Sequence, residues 1–409
     1  MLDERDARPT FDVPVEELER DPYPIYARLR RDAPVCWVPS VGMWLATRWD
    51  DALTVATDTE RFRAHNEPVD RAFGAPNVLS CEGAIHKELR ATLNPTMRPS
   101  VVDDYIDGLV EPIARAQLAR LLEGPGRAEI MEGYFEPISV RSLASVLGMA
   151  GVGDETLRRW FAAMALGASN YERDPVKQAQ SDAVIAELEA YLDPLLTQLE
   201  SAPDDSLISH MLWVGRDDGV PRPRDLVLPT LKVLILGGMQ EPGHGAGTVL
   251  WHLLRNREQL AAVRADMDRL LPAAIEEGMR LVAPIHTQAR TVVVDTELAG
   301  VRLPAGDAVA AVIASANRDD ERFEDPDTFD VHRPKRRVAT FGFGAHFCSG
   351  HAFARALERI ALRVLLEEVP TIALVPGEET HFAGFEFRAP RRMPVAWQRA
   401  TEREVENRA

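Results

Sequence analysis

The stretch Phe341-Gly342-Phe343-Gly344-Ala345-His346-Phe347-Cys348-Ser349-Gly350 constrains this chain more than any other. Its three glycines permit turns and close backbone approaches that a Cβ forbids. One cysteine sits among them, and the residues that follow, Ala352-Phe353-Ala354-Arg355-Ala356-Leu357-Glu358, carry a helical pattern. A helix starting beside the sulfur offers unpaired N–H groups and a positive dipole end, so the loop is expected to favour thiolate over thiol at Cys348. A lone cysteine also reads as a buried structural residue with no chemistry of its own.

No second cysteine or histidine cluster accompanies Cys348, so tetrahedral zinc is a poor fit, whereas one thiolate suits a single axial position on a haem iron. The decapeptide resembles the Phe-x-x-Gly-x-His/Arg-x-Cys-x-Gly signature of the cytochrome P450 family, matching at Phe341, Gly344, His346, Cys348 and Gly350. The resemblance implies a mainly α fold, a helical bundle with a long central helix over haem b plus small β-sheets. It implies Cys348 as the proximal iron ligand and Phe341, Gly344 and Gly350 as parts of the haem-binding loop.

The chain has 409 residues and no Ser/Gly/Pro linker, which reads as a single haem-thiolate domain over 1–409. Its net charge of −17 argues against nucleic-acid or membrane-surface binding. Cys36, Cys81 and Cys348 are too scattered for a disulfide framework, the charged start Met1-Leu2-Asp3-Glu4 is unlike a signal peptide, and no apolar run approaches the roughly 20 residues that span a bilayer. These features lead to an expected cytoplasmic location and to the soluble bacterial type of the family.

Along the chain, Ile25 to Arg30 is expected as a short helix, Val35-Cys36-Trp37-Val38 and Met43-Trp44-Leu45-Ala46 as a hairpin, and Phe62 to Gly83 as loop. Thr291 to Leu298 and Val309 to Ile313 read as strands. His86 and Arg90 stand four apart on one helix face. The resemblance implies that His86, Arg90, Arg290 and His346 hold the haem propionates, and that Glu277, Arg280 and Arg333 form a buried structural network. It also makes the 62–83 segment a pocket wall. Met164, Leu166, Asn170 and Tyr171 are lid candidates by analogy, with core packing or solvent exposure the stronger reading for each. Leu281, Val282, Ile285 and Phe382 to Phe387 are expected to give a largely apolar pocket for a small organic substrate.

The departure from the family lies in the helix expected from about Leu226 to Asn256. Members usually carry an acid followed by threonine there, which deliver protons to the oxidant. This chain reads Gly237-Gly238-Met239-Gln240-Glu241-Pro242-Gly243-His244. An ungapped register puts Gln240 at the acid position and Glu241 at the alcohol position; a one-residue slip puts Glu241 and Pro242 there. The hydroxyl is absent in both. Pro242 cannot donate to the carbonyl of Gly238, so the helix is expected to widen, aided by glycines at 237, 238, 243 and 245. A carboxyl in a poorly solvated pocket can act as base and then as acid, which is what hydrogen peroxide requires.

Three functions follow from these residues. In one, Glu241 serves as distal acid–base of a peroxide-using oxygenase, with Gln240 the adjacent candidate. In another, a ferredoxin-type donor supplies electrons, docking on the basic run His332-Arg333-Pro334-Lys335-Arg336-Arg337, and dioxygen is the oxidant. The third is a haem-binding sensor or carrier without turnover. Because the loop glycines surround only Cys348, Cys348→Ala is expected to abolish the thiolate absorption of the reduced carbon monoxide complex, while Cys36→Ala and Cys81→Ala keep it. A normal carbon monoxide spectrum in Cys348→Ala contradicts the assignment.

Overall fold

Helices dominate the computed structural model, which describes residues 8–398. The short helix extends over Tyr23–Asp32, two residues longer at each end than expected, and Pro24 in its first turn needs no N–H donor and supplies a helical φ. Its inward face is Tyr26, Leu29 and Arg30.

The expected hairpin forms as Val35–Val38 against Met43–Ala46, with Trp37 opposite Trp44. It continues into a five-stranded sheet through Ala308–Val312, Thr287–Val292 and Phe62–Ala64, where only the Met43–Ala46 and Ala308–Val312 pair is parallel. Met43–Ala46 is buried on both faces, since Trp44 and Ala46 enter one apolar cluster and Met43 and Leu45 another. The expected strand Thr291 to Leu298 is in fact two strands, Thr287–Val292 and Thr296–Leu298. A bend at Asp295 separates them: its carboxylate accepts from Ala305 N at 3.0 Å, locking a turn that a continuous strand would lose.

The segment 62–83 also holds more order than its composition indicates. Phe62–Ala64 pairs with Thr287–Val292, and Glu67–Phe73 is a helix. Asn66 caps that helix by accepting from Val69 N at 3.2 Å, Pro68 occupies its first turn, and Arg71 bonds Glu67 one turn back. Among the described residues, no helix is long and apolar enough to cross a membrane.

One buried polar network ties the helix Met267–Leu281 to the chain leading into the cysteine loop. Glu277 receives two bonds from Arg280, both 2.8 Å, and one from Arg333 at 2.8 Å. Arg280 also donates to the carbonyls of Asn317, Pro326 and Thr328 at 2.9, 2.7 and 3.2 Å. Downstream, Asn317 accepts from Ala339 N at 2.6 Å and donates to Thr340 Oγ1 at 3.1 Å. Removing the shared anion strands Arg280 in the interior, so Glu277→Ala is expected to lose about 3–5 kcal/mol in denaturant unfolding. A loss below about 1 kcal/mol, the worth of a surface pair, contradicts this role.

Candidate active site

The cysteine loop is a set of tight turns held from outside. Gly342 and Gly344 take φ of +75° and +66°, conformations that side chains disfavour. Cys348 N donates to Phe341 O at 2.9 Å, closing the loop. Gln288, on the strand Thr287–Val292, clamps it by accepting from Phe343 N at 3.2 Å and donating to Phe343 O at 3.4 Å. Gln288 precedes the strand expected from the sequence and had no signature there. The helix His351–Glu368 follows at once, with Gly350 as its cap.

Cys348 lies deep in the protein with its accessible surface turned toward an internal cavity of about 290 Å³. Burial pushes its thiol up, against the lowering effects of the Gly350 N–H, Arg90 and Arg355. The loop alone therefore does not favour thiolate, contrary to the sequence expectation, because desolvation outweighs the helix N–H and the arginines. Direct bonding to a cation is what stabilises a buried sulfur anion of this kind.

Phe341, His346, Cys348, Gly350, Arg90, Arg290 and Glu241 all line the cavity. His86 stands behind His346, the two rings 4.2 Å apart. Gly344 packs away from the cavity against Ala56 and Thr57. Of the expected pocket residues, Ile285 and Phe387 line it, whereas Leu281 and Val282 belong to the core. Met164 and Asn170 are buried packing residues, and Tyr171 bonds Glu386 instead of forming a lid surface.

One end of the cavity is cationic and under-satisfied. Burial, reinforced by Arg290 and His86, pushes His346 down to about 3, and burial lowers Arg290 to about 10. His86 Nε2, His346 Nε2 and Arg290 Nε are buried without hydrogen-bond partners, and Arg90 has none among the described residues. Glu82 Oε1 lies 3.7 Å from His346 Nε2 and leaves these donors unsatisfied; further anions would raise the groups and satisfy the donors. The two carboxylates on the rim of haem b meet that need, while Cys348 faces the same cavity, so the residues present fit the group.

The expected long helix is two helices, Arg224–Met239 and Glu241–Arg255, meeting at Gln240. Pro242 removes the N–H that would bond Gly238 O, and the new helix starts when His244 N bonds Gln240 O at 2.9 Å. Gln240 is the break residue, and its side chain does not line the cavity. The glycines serve contact more than widening. A Cβ at Gly238 would meet Leu143 at 2.9 Å, one at Gly243 would meet the Phe135 carbonyl at 2.8 Å, and one at Gly245 would strike the Glu358 carboxyl. Gly237 alone of the four faces open space.

Glu241 is 6% exposed and lines the cavity. Its Oε2 lies 3.2 Å from His244 Nδ1, within hydrogen-bond distance, while its Oε1 has no partner. His244 Nε2 in turn lies 3.9 Å from Glu136 Oε1 on the neighbouring helix. Two further carboxyls line the cavity that sequence reasoning missed, Glu358 and Glu386. Glu386 sits within Phe382 to Phe387, read as an aromatic wall; its position between Phe385 and Phe387 was the available signal.

A cytochrome P450 family model matches residues 252–369. The cytochrome P450 monooxygenase PikC of Streptomyces venezuelae is 31% identical over 95% of this chain and 94% of its own length. The 6-deoxyerythronolide B hydroxylase of Saccharopolyspora erythraea is 29% identical over 89% of this chain and 92% of its length. Among solved structures, cytochrome P450 CYP109Q5 from Chondromyces apiculatus superposes with a TM-score of 0.82 at 27% identity, covering 96% of this chain and 99% of that one. With the thiol, the unsatisfied cations and the broken helix gathered on one cavity, this chain belongs to the cytochrome P450 monooxygenase family, whose members bind haem b.

Proposed function

We propose that this chain is a haem-thiolate oxygenase that inserts one oxygen atom into an organic substrate with an apolar body, using Cys348 as the proximal iron ligand and Glu241 as the distal acid–base. When bound, haem b supplies the redox iron at which the O–O bond of the oxidant is cleaved. Arg90, Arg290 and His346 hold its carboxylates, with His86 packed behind His346, and Phe341, Gly344 and Gly350 shape the cysteine loop. The Gly350 N–H and the Arg90 and Arg355 charges stabilise the Cys348 sulfur once its proton is displaced.

The observation that carries the reading is the divided carboxyl of Glu241: Oε2 tied to His244, Oε1 unpartnered on the cavity wall. One oxygen is thereby positioned while the other is left to exchange protons. Glu241 accepts a proton from one oxygen of hydrogen peroxide and returns it to the other as the bond breaks. His244 orients the carboxyl and, through Glu136, gives it a route toward the surface, where Glu136 pairs with Arg158.

The dioxygen route remains the second reading, supported by the exposed Lys335, Arg336 and Arg337. Arg337 stacks 5.3 Å over Phe343 in the cysteine loop, so this basic edge adjoins the proximal side, where an acidic ferredoxin-type donor would be steered by charge. Both routes call for proton delivery at the same place. Gln240, set back at the break, contributes by positioning Glu241 at the start of the second helix.

Glu241→Ala is expected to lose peroxide-driven product by about 10²–10⁴-fold while retaining haem, the usual contribution of a positioned proton-transfer group. Glu241→Thr, which supplies a hydroxyl, should shift turnover from peroxide toward dioxygen with electron-transfer proteins. Unchanged peroxide activity together with an unchanged ferric spectrum in Glu241→Ala would overturn the assignment.

A further inference from the structure

The cavity wall around Glu386 is built differently from the His346 and Arg290 cluster. Glu386 is 5% exposed and lines the cavity beside Ile285 and Phe387. Its Oε2 accepts from Thr287 Oγ1 at 2.6 Å and from Tyr171 OH at 3.2 Å. These two hydroxyls come from different elements, a strand and the segment after the helix Asp154–Ala168, so the carboxyl is held in one orientation. Burial pushes Glu386 up to about 7, opposed by the Thr287 and Tyr171 hydrogen bonds and reinforced by the charge of Glu241.

Among the described residues, neither Glu386 nor Glu241 has a lysine or arginine partner. Arg388, two residues on, is committed to the backbone carbonyls of Glu19, Arg20 and Gly384. Buried carboxyls normally sit with a countercharge, because an uncompensated one is costly. Here three carboxyls, those of Glu241, Glu358 and Glu386, line one largely apolar cavity, and Glu241 and Glu358 each keep a buried oxygen that accepts nothing. The arginines that line the cavity, Arg90 and Arg290, group with His346.

We propose that Glu386, oriented by Tyr171 and Thr287 and sharing its cavity with Glu241, is a cation subsite that selects substrates carrying a protonated amine on an apolar body. The inference rests on the oxygenase reading for the identity of the cavity as the substrate chamber. The ammonium N–H donates to a preplaced carboxylate and supplies the missing positive charge. The apolar remainder lies against Ile285 and Phe387. A carboxylate-bearing substrate is repelled from the same wall.

The test is calorimetric titration of the haem-loaded protein with three probes of one chain length: N,N-dimethyldecylamine, 1-decanol and decanoate. In the unmodified protein the amine is expected to bind about tenfold or more tightly than the alcohol, the scale of one charge-assisted hydrogen bond, with decanoate weakest. Glu386→Gln should cancel the amine preference and leave the affinity for 1-decanol within about twofold. Equal or tighter binding of 1-decanol or decanoate by the unmodified protein overturns the proposal, as does an amine preference that survives Glu386→Gln. The three-probe series decides even where that variant does not fold. The reduced carbon monoxide spectrum of the same preparation tests the haem-thiolate reading separately, so failure of one is distinguishable from failure of the other.

Discussion

Pro242 lacks an N–H, and much of the distal side of the cavity follows from that absence. A continuous helix would bond residue 242 to Gly238 O; without that bond the chain leaves the helix at Gln240 and restarts at Glu241. A carboxyl at the start of a helix meets its positive dipole end, which offsets part of the cost of burying it. The second helix can then press closely on its neighbours, because Gly243 and Gly245 leave room for the Phe135 carbonyl and the Glu358 carboxyl. His244 follows three residues after Glu241 on the same buried surface and fixes one of its oxygens.

The proximal side depends on a different constraint. The cysteine loop contains turns that few residues tolerate, and its own hydrogen bonds do not fix it in the fold. Glu277, through Arg280 and Arg333, organises the preceding segment, Asn317 pins Ala339 and Thr340, and Gln288 clamps Phe343. The small sheet is thus a bracket for the loop, and it carries Arg290 and Thr287 to opposite kinds of work on the cavity. The cavity wall holds both kinds of unsatisfied group: buried nitrogens of His346 and Arg290, and the carboxyl oxygens of Glu241 and Glu358. The low dielectric of such a site strengthens the interactions of both.

The legible parts of the sequence were those where local chemistry and tertiary need agree. The hairpin at Val35 to Ala46, the placing of His86 and Arg90 on one helix face and the cysteine loop carried patterns of spacing or composition, whereas the Glu277 network came only from the family resemblance. The break at Gln240 was only half visible, since Pro242 announced a disturbance but not whether the helix would bulge or stop. The glycines nearby were misread as loosening because their neighbours, Leu143, Phe135 and Glu358, are distant in sequence. The helix Glu67–Phe73 was hidden by its Pro and Asn, which act there as first-turn residue and cap. Glu386 was obscured by the phenylalanines around it, and the hydroxyls that orient it come from Tyr171 and Thr287, more than a hundred residues apart.

The central claim is that one cavity holds a haem between a sulfur from the cysteine loop and a carboxyl from the restarted helix. A crystal structure of the haem-loaded ferric protein tests it most directly. The account predicts Cys348 Sγ bonded to the iron, the haem carboxylates on Arg90, Arg290 and His346, and Glu241 on the opposite face with Oε2 still on His244 and Oε1 toward the iron. Iron bound without Cys348, or Glu241 turned out of the cavity, would contradict it.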